Sequence, residues 1–151
     1  MTYWLIGLGI IVVLYFIFLA WTSQTPPELG FVDEKLRPCP DTPNCVCSEF
    51  TEQTYYIAPI QVPPDMTNSA LETARDKMEQ VLRNLGGEIQ QVDTQYIWAT
   101  FTTPLFRYVD DVEVRFSEEG RIHVRSASRV GRSDFGQNKK RIEALRTQFA
   151  Q

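Results

Sequence analysis

An α+β fold, in the form of a mostly antiparallel β-sheet of four to five strands with two helices on one face, is what this sequence predicts. Three features carry that prediction. From Val112 to Arg125, apolar and charged residues alternate around Glu118-Glu119-Gly120, the period-2 pattern of a half-buried hairpin. Two other stretches, after Ser69 and after Asp134, place apolar residues at helical spacing behind an N-cap signature. Ahead of both, residues 3–21 carry no charge and read as one N-terminal transmembrane helix. Two amphipathic helices need one apolar surface, and the hairpin offers one, so both are expected on the same side of the sheet.

The apolar run, YWLIGLGIIVVLYFIFLAW, spans about 28 Å at about 1.5 Å per residue, close to a bilayer core. Tyr3, Trp4 and Trp21 stand where interfacial aromatics belong. A cleaved signal peptide is the alternative. The absence of a basic leading region, and Phe18-Leu19-Ala20-Trp21 in place of a small-x-small site, favour an uncleaved signal-anchor. The chain therefore divides into an anchor over residues 1–22, a proline-bearing flexible linker over 23–36, and an α+β domain over 37–151. Lys35 and Arg37 beyond the span point weakly to a cytoplasmic domain. Glu28, Asp33, Glu34 and the cysteines point the other way, and an extracytoplasmic domain, periplasmic or lumenal, is expected.

All 34 charged side chains (15 basic and 19 acidic) follow Pro27. Residues 28–120 hold 7 basic and 17 acidic groups, a balance of −10, whereas residues 121–151 hold 8 and 2, a balance of +6. The two parts complement each other within one fold, or the basic part meets an anionic partner. An acidic domain without a reader motif is not a nucleic-acid binder.

All three cysteines lie in the proline-punctuated loop of residues 36–48. A Cys39–Cys45 disulfide would close a tight loop worth roughly 2 kcal/mol in an oxidising compartment. Inert thiols and a metal or redox site compete with it. His123 is the only histidine and no Cys-x-x-Cys pair occurs, so neither a metal ligand set nor a cofactor is implied.

Residues 55–62 are β-prone with Pro59 inside, an edge strand at best. Ser69 and Glu72 form a capping box ahead of Leu71, Ala74, Met78, Val81, Leu82 and Leu85, and Gly86-Gly87 ends that helix. Residues 88–92 and 96–102 follow as strands, the second turning Ile97, Ala99 and Phe101 inward. Trp98 on the outer face either stacks on arginines or floors a shallow ligand platform. The three-residue loop fixes the hairpin register, with Ser117 opposite Arg121, Val114 opposite Val124, Arg115 opposite His123 and Glu113 opposite Arg125. Asp111, Glu113, Arg115 and His123 thus share a solvated ion-pair face. Beyond the hairpin, Arg125, Ser126, Ser128, Arg129, Arg132 and Ser133 approach the N-terminus of a last helix capped by Asp134. Together they would make an anion cradle; internal pairing with Asp110, Asp111 or Asp134 is the competing reading. The last helix is expected to bury Phe135, Ile142, Leu145 and Phe149 and to expose Lys139, Lys140 and Arg146.

Three separated stretches resemble the bacterial and plastid family called domain of unknown function 1499. They are Cys39-Pro40 with Pro43-Asn44-Cys45-Val46, then the run from Phe101 through Thr103-Pro104-Leu105-Phe106 to Glu113, then Ile122 to Gly131 with Ser133, Asp134, Asn138 and Arg141. The likeness covers roughly residues 36–149. It implies no activity and carries over no catalytic residue, but it fits an exported or membrane-attached chain. The sequence departs from the pattern at Cys47 and Arg132, where serine and an aromatic would stand.

The expectation is a membrane-anchored, non-enzymatic binding or accessory domain that meets an anionic ligand, a lipid headgroup or a protein partner. A thiol-dependent redox enzyme and an assembly subunit of a membrane complex are the alternatives. Paired-carboxylate hydrolysis by Asp111 and Glu113 is disfavoured because Arg125 faces Glu113.

Overall fold

The computed structural model describes residues 2–62, 68–117 and 119–151. In chain order the elements are α1 (Thr2–Thr22), β1 (Phe31–Val32), β2 (Lys35–Leu36), β3 (Cys45–Cys47), β4 (Ile60–Gln61), α2 (Asn68–Asn84), β5 (Glu88–Val92), β6 (Tyr96–Thr102), β7 (Val109–Ser117), β8 (Arg121–Ser128) and α3 (Gln137–Phe149). The main sheet is antiparallel and six-stranded in the order β3-β8-β7-β6-β5, with β4 pairing β8 as well. The α+β expectation holds, with more strands than the sequence suggested. Residues 55–62 contribute the two-residue β4, which starts just after Pro59, and a single parallel bridge of Tyr56 to Cys47.

The β7–β8 hairpin has the expected register, Ser117 opposite Arg121, Glu113 opposite Arg125 and Asp111 opposite Ala127. Gly120 sits at φ 71 in its turn, the left-handed conformation glycine adopts without cost. Glu118 of that loop lies outside the described residues. Val112, Val114, Phe116, Ile122 and Val124 of the hairpin join Ile97, Ala99 and Phe101 of β6 under the two helices. From α2 come Met78, Val81 and Leu82, and from α3 come Ile142, Leu145 and Phe149.

α2 starts at Asn68, one residue before the serine expected to cap it, and residues 63–67 before it lie outside the described part. Its end is a Schellman turn: Gly87 N–H donates to Leu82 O and Gly86 N–H to Arg83 O, with Gly86 at φ 90. Gly87 then passes against Phe101 so closely that an added Cβ would lie 2.7 Å from the ring.

Two expectations are corrected. Phe135 is 90% exposed rather than buried, because Phe135 and Gly136 both take positive φ (54 and 78) and turn the ring out before α3 begins. Arg146 is part-buried, its guanidinium donating to the carbonyls of Ala58 and Pro59.

The larger correction concerns residues 23–36, which are not a loose tether. They run along the sheet face opposite the helices and form the β1–β2 ribbon there. Leu36 is wholly buried against Cys47 and Tyr96, and the Phe31 ring meets Tyr96 edge-on at 5.2 Å. The hairpin's charged face lies under this cover and is not solvated: Asp111, Glu113, His123 and Arg125 are all buried.

Candidate functional site

Burying carboxylates is costly unless each finds a cation and its remaining lone pairs are satisfied. Each buried carboxylate of the covered face is paired. Glu113, with none of its surface exposed, accepts from Arg125 Nη1 at 3.0 Å, from the Tyr96 hydroxyl at 2.8 Å and from Gly30 N–H at 2.7 Å. Asp111 takes both arms of Arg129 at 2.8 and 2.7 Å and the Trp98 indole N–H at 2.9 Å. Trp98 is thus a hydrogen-bond donor in this network. Glu49, from the loop after β3, takes Arg115 at 2.7 and 3.2 Å. Burial holds the Tyr96 phenol far above its ordinary value, with Glu113 reinforcing the effect.

His123 lies 3.3 Å from the Glu49 carboxylate and from both oxygens of Ser48. A carboxylate alone would raise its pKa. Burial is the larger influence and holds the imidazole below its ordinary value, aided by Arg115 and Arg121. This histidine is a neutral hydrogen-bonding group near neutral pH.

The helix side carries a second polar cluster. Asn138 is buried: its Oδ1 accepts from Ser126 Oγ at 2.5 Å and Arg141 at 2.6 Å, and its amide donates to Asn44 O at 2.9 Å and Ser128 Oγ at 3.0 Å. Arg141 goes on to Asp110 at 2.7 Å, and the Asn44 amide donates to Gly131 O at 2.7 Å. These bonds pin the β8–α3 link to β3 and β7. Asn44, Glu49, Asn138 and Arg141 were not among the predicted site residues. Their only sequence signal lay in the family-like stretches, which include Asn44, Asn138 and Arg141.

The six residues of the predicted cradle do not converge. Arg125 and Arg129 point to the covered face and hold Glu113 and Asp111, whereas Ser126 and Ser128 point to the helix face and hold Asn138. Arg132 and Ser133 are exposed on the link, where Ser133 Oγ accepts from Phe135 N–H. Asp134 occupies the start of α3, accepting from Gly136 N–H at 3.0 Å and Asn138 N–H at 2.6 Å, so a carboxylate already sits at that positive end.

Cys39 and Cys45 form a disulfide with Cα atoms 5.7 Å apart, and Cys47 is a free, buried thiol. Burial pushes the Cys47 thiol up to about 11, away from the range of a reactive thiolate.

Arg129 has a second role. Besides gripping Asp111, its Nη1 donates to the carbonyls of Ser23 and Gln24 at 3.1 Å each. A cation placed just past a helix C-terminus complements its dipole. Gln24 adds a bond from Nε2 to Arg107 O at 3.0 Å, and Phe16 stacks on Phe106 at 5.1 Å. α1 is therefore joined to the domain by contacts on two loops.

A family model described as a protein of unknown function (DUF1499) matches residues 35–149. The chain belongs to that family. No curated protein and no solved structure matches it. The DUF1499 match contains both polar clusters apart from Gly30, Ser23 and Gln24, and it leaves α1 outside. α1 is the one described helix long and apolar enough to cross a membrane, with a mean hydropathy of 2.5 over Tyr3–Thr22.

Proposed function

We propose that this DUF1499 chain is a single-pass, membrane-anchored accessory domain without chemistry of its own, facing an extracytoplasmic compartment. The observation that carries this reading is the double grip of Arg129 on buried Asp111 and on the carbonyls of Ser23 and Gln24 just past the end of α1. It makes anchor and domain one body, as a module that must hold a fixed pose on a lipid layer requires. The disulfide supports the oxidising side of the membrane. The carboxylates a hydrolase would use are committed to arginines, and the thiol a redox enzyme would use is buried and protonated.

Anion recognition, on this reading, falls to the cations left over. Arg125 and Arg129 are neutralised in place, whereas Arg132, Lys139 and Lys140 are exposed and unpaired among the described residues. All three stand near the start of α3, where a headgroup phosphate or an acidic loop of a partner would meet them.

The test uses the full chain in membranes. Resistance to alkaline carbonate, with the domain digested only from the extracytoplasmic side, is expected. Extraction by carbonate, or digestion from the cytoplasmic side, would overturn the anchor or its orientation respectively. In nanodiscs of mixed phosphatidylcholine and phosphatidylglycerol, the wild type should retain phosphatidylglycerol. The triple variant Arg132→Glu, Lys139→Glu, Lys140→Glu should not; equal retention by both removes the anion arm.

One observation favours an assembly subunit as a second reading. A groove of about 600 Å³ runs between residues 26–31 and the outer face of β5 and β6, lined by Leu29, Phe31, Tyr96 and Trp98. β5 beside it is an edge strand with its outer backbone unpaired in the sheet, a surface suited to a protein segment. Crosslinking in native membranes that joins residues 91–95 to a neighbouring protein would select this reading.

A further inference from the structure

Outside α1, the two most exposed large apolar side chains among the described residues are Leu105 (80%) and Phe135 (90%). Both lie at the end of the domain from which α1 leaves: Leu105 in the β6–β7 loop and Phe135 in the β8–α3 link. We propose that the β6–β7 loop, residues 103–108, is a second membrane-inserting element. Leu105 and Phe106 enter the same leaflet as the C-terminal third of α1, and Phe135 dips in beside them. The partner is the bilayer itself, and the inference rests on α1 being a span.

The depth follows from a ring contact. Phe106 stacks on Phe16 with centroids 5.1 Å apart and planes inclined by 24°, and Tyr108 stacks behind Phe106 at 5.5 Å. Phe16 precedes the end of α1 by six residues, which places it about 9 Å inside the span at about 1.5 Å per residue. A hydrocarbon layer that covers Tyr3–Thr22 therefore also surrounds Phe106.

The base of the loop, though not the amides of Leu105 and Phe106 at its tip, is closed by hydrogen bonds that suit that environment. Buried in lipid, each unpaired N–H or C=O is costly. Here Thr103 N–H donates to Tyr108 O, Arg107 N–H to Thr103 O and Tyr108 N–H to Thr103 Oγ1, while Arg107 O accepts from Gln24. Position 104 is proline and has no N–H to satisfy. Arg107 takes the left-handed φ of 59 that folds this turn, and its exposed guanidinium is long enough to reach headgroups from beside the apolar tip. Exposed Arg132, Lys139 and Lys140 flank the same end, so apolar tips are ringed by cations, as at an interfacial anchor.

Nitroxide labels on the full chain test this directly. In a Cys47→Ser background with the disulfide kept, single labels are placed through Leu105→Cys, Phe135→Cys, Leu14→Cys in α1, and Val92→Cys at the opposite end of the sheet. Each is reconstituted in phosphatidylcholine vesicles with and without phosphatidylglycerol, and collision with oxygen and with a water-soluble nickel chelate is measured. Labels at 105 and 14 should both favour oxygen several-fold over the label at 92, with 135 on the lipid side of 92 and driven deeper by phosphatidylglycerol. A label at 105 as open to nickel as that at 92, with 14 still in lipid, overturns the insertion and leaves the anchor standing. A label at 14 open to nickel overturns the anchor and the insertion with it. A label at 105 shielded from both reagents assigns the loop to a protein contact and also overturns the proposal.

Discussion

Replacing Arg129 with methionine removes a cation that is only 6% exposed and keeps most of its side-chain volume. Asp111, 1% exposed, would retain the Trp98 N–H but lose both guanidinium bonds, and the carbonyls of Ser23 and Gln24 would lose their donor. Breaking a buried pair by removing one partner costs about 3–5 kcal/mol, chiefly through the charge left behind. With a urea slope of about 2 kcal/mol per molar, the midpoint should fall by about 2 M. The measurement is urea unfolding of the full chain in detergent micelles, followed by near-UV circular dichroism. The double variant Asp111→Asn, Arg129→Met should recover more than half of the loss, because the stranded charge is gone. A midpoint change below about 0.5 M for the single variant, or strict additivity in the double, would refute Arg129 as the buried counter-ion of Asp111.

Four further outcomes follow from the same structure. Gly87→Ala should destabilise by about 1–3 kcal/mol, because its Cβ would lie 2.7 Å from the Phe101 ring and 2.9 Å from Leu82 O; a neutral result in thermal unfolding would count against that packing. Replacing both Cys39 and Cys45 with serine should cost at least about 2 kcal/mol by the loop-closure argument, and equal stability of the two forms would contradict it. Native protein should offer no thiol to an alkylating reagent at mild alkaline pH, and unfolded, unreduced protein should offer one, since burial holds Cys47 at about 11. His123 has a folded pKa below its ordinary 6.5, so below that value the unfolded chain binds a proton that the fold does not. Its contribution is present above pH 6.5 and is lost as the pH falls below it, and His123→Gln should flatten that acid-side decline in an unfolding series.

Much of the architecture was legible because it is local. The strand alternation of residues 112–125 and a three-residue turn with glycine at its left-handed position leave one self-consistent register, and that register is present. The helical stripe ending at Gly86 closes in the expected turn for the same reason. At α3 local rules misplaced Phe135: they assumed a regular entry into the helix, whereas two consecutive positive φ angles turn the ring outward. The candidate site was less legible. Its residues were identified along the hairpin and link, but Arg125 and Arg129 are separated from Ser126 and Ser128 by the sheet itself. The pleat sends alternate side chains to opposite faces. The Asn138 cluster joins Asn44 to a helix 94 residues later, and no spacing rule reaches that far.

By itself, the sequence determined an uncharged span long enough for a bilayer, a hairpin register, a disulfide-ready loop and the complementary charges of its two parts. Only the tertiary structure decided that those charges meet in a buried layer. Residues 23–36 read as a polar, proline-bearing linker in isolation, and they become a cover only when Leu36 and Phe31 find the apolar ground around Tyr96 and Cys47. Once they lie there, water is excluded from Glu113 and Asp111. Each carboxylate must then hold an arginine, and one of those arginines reaches on to the end of α1.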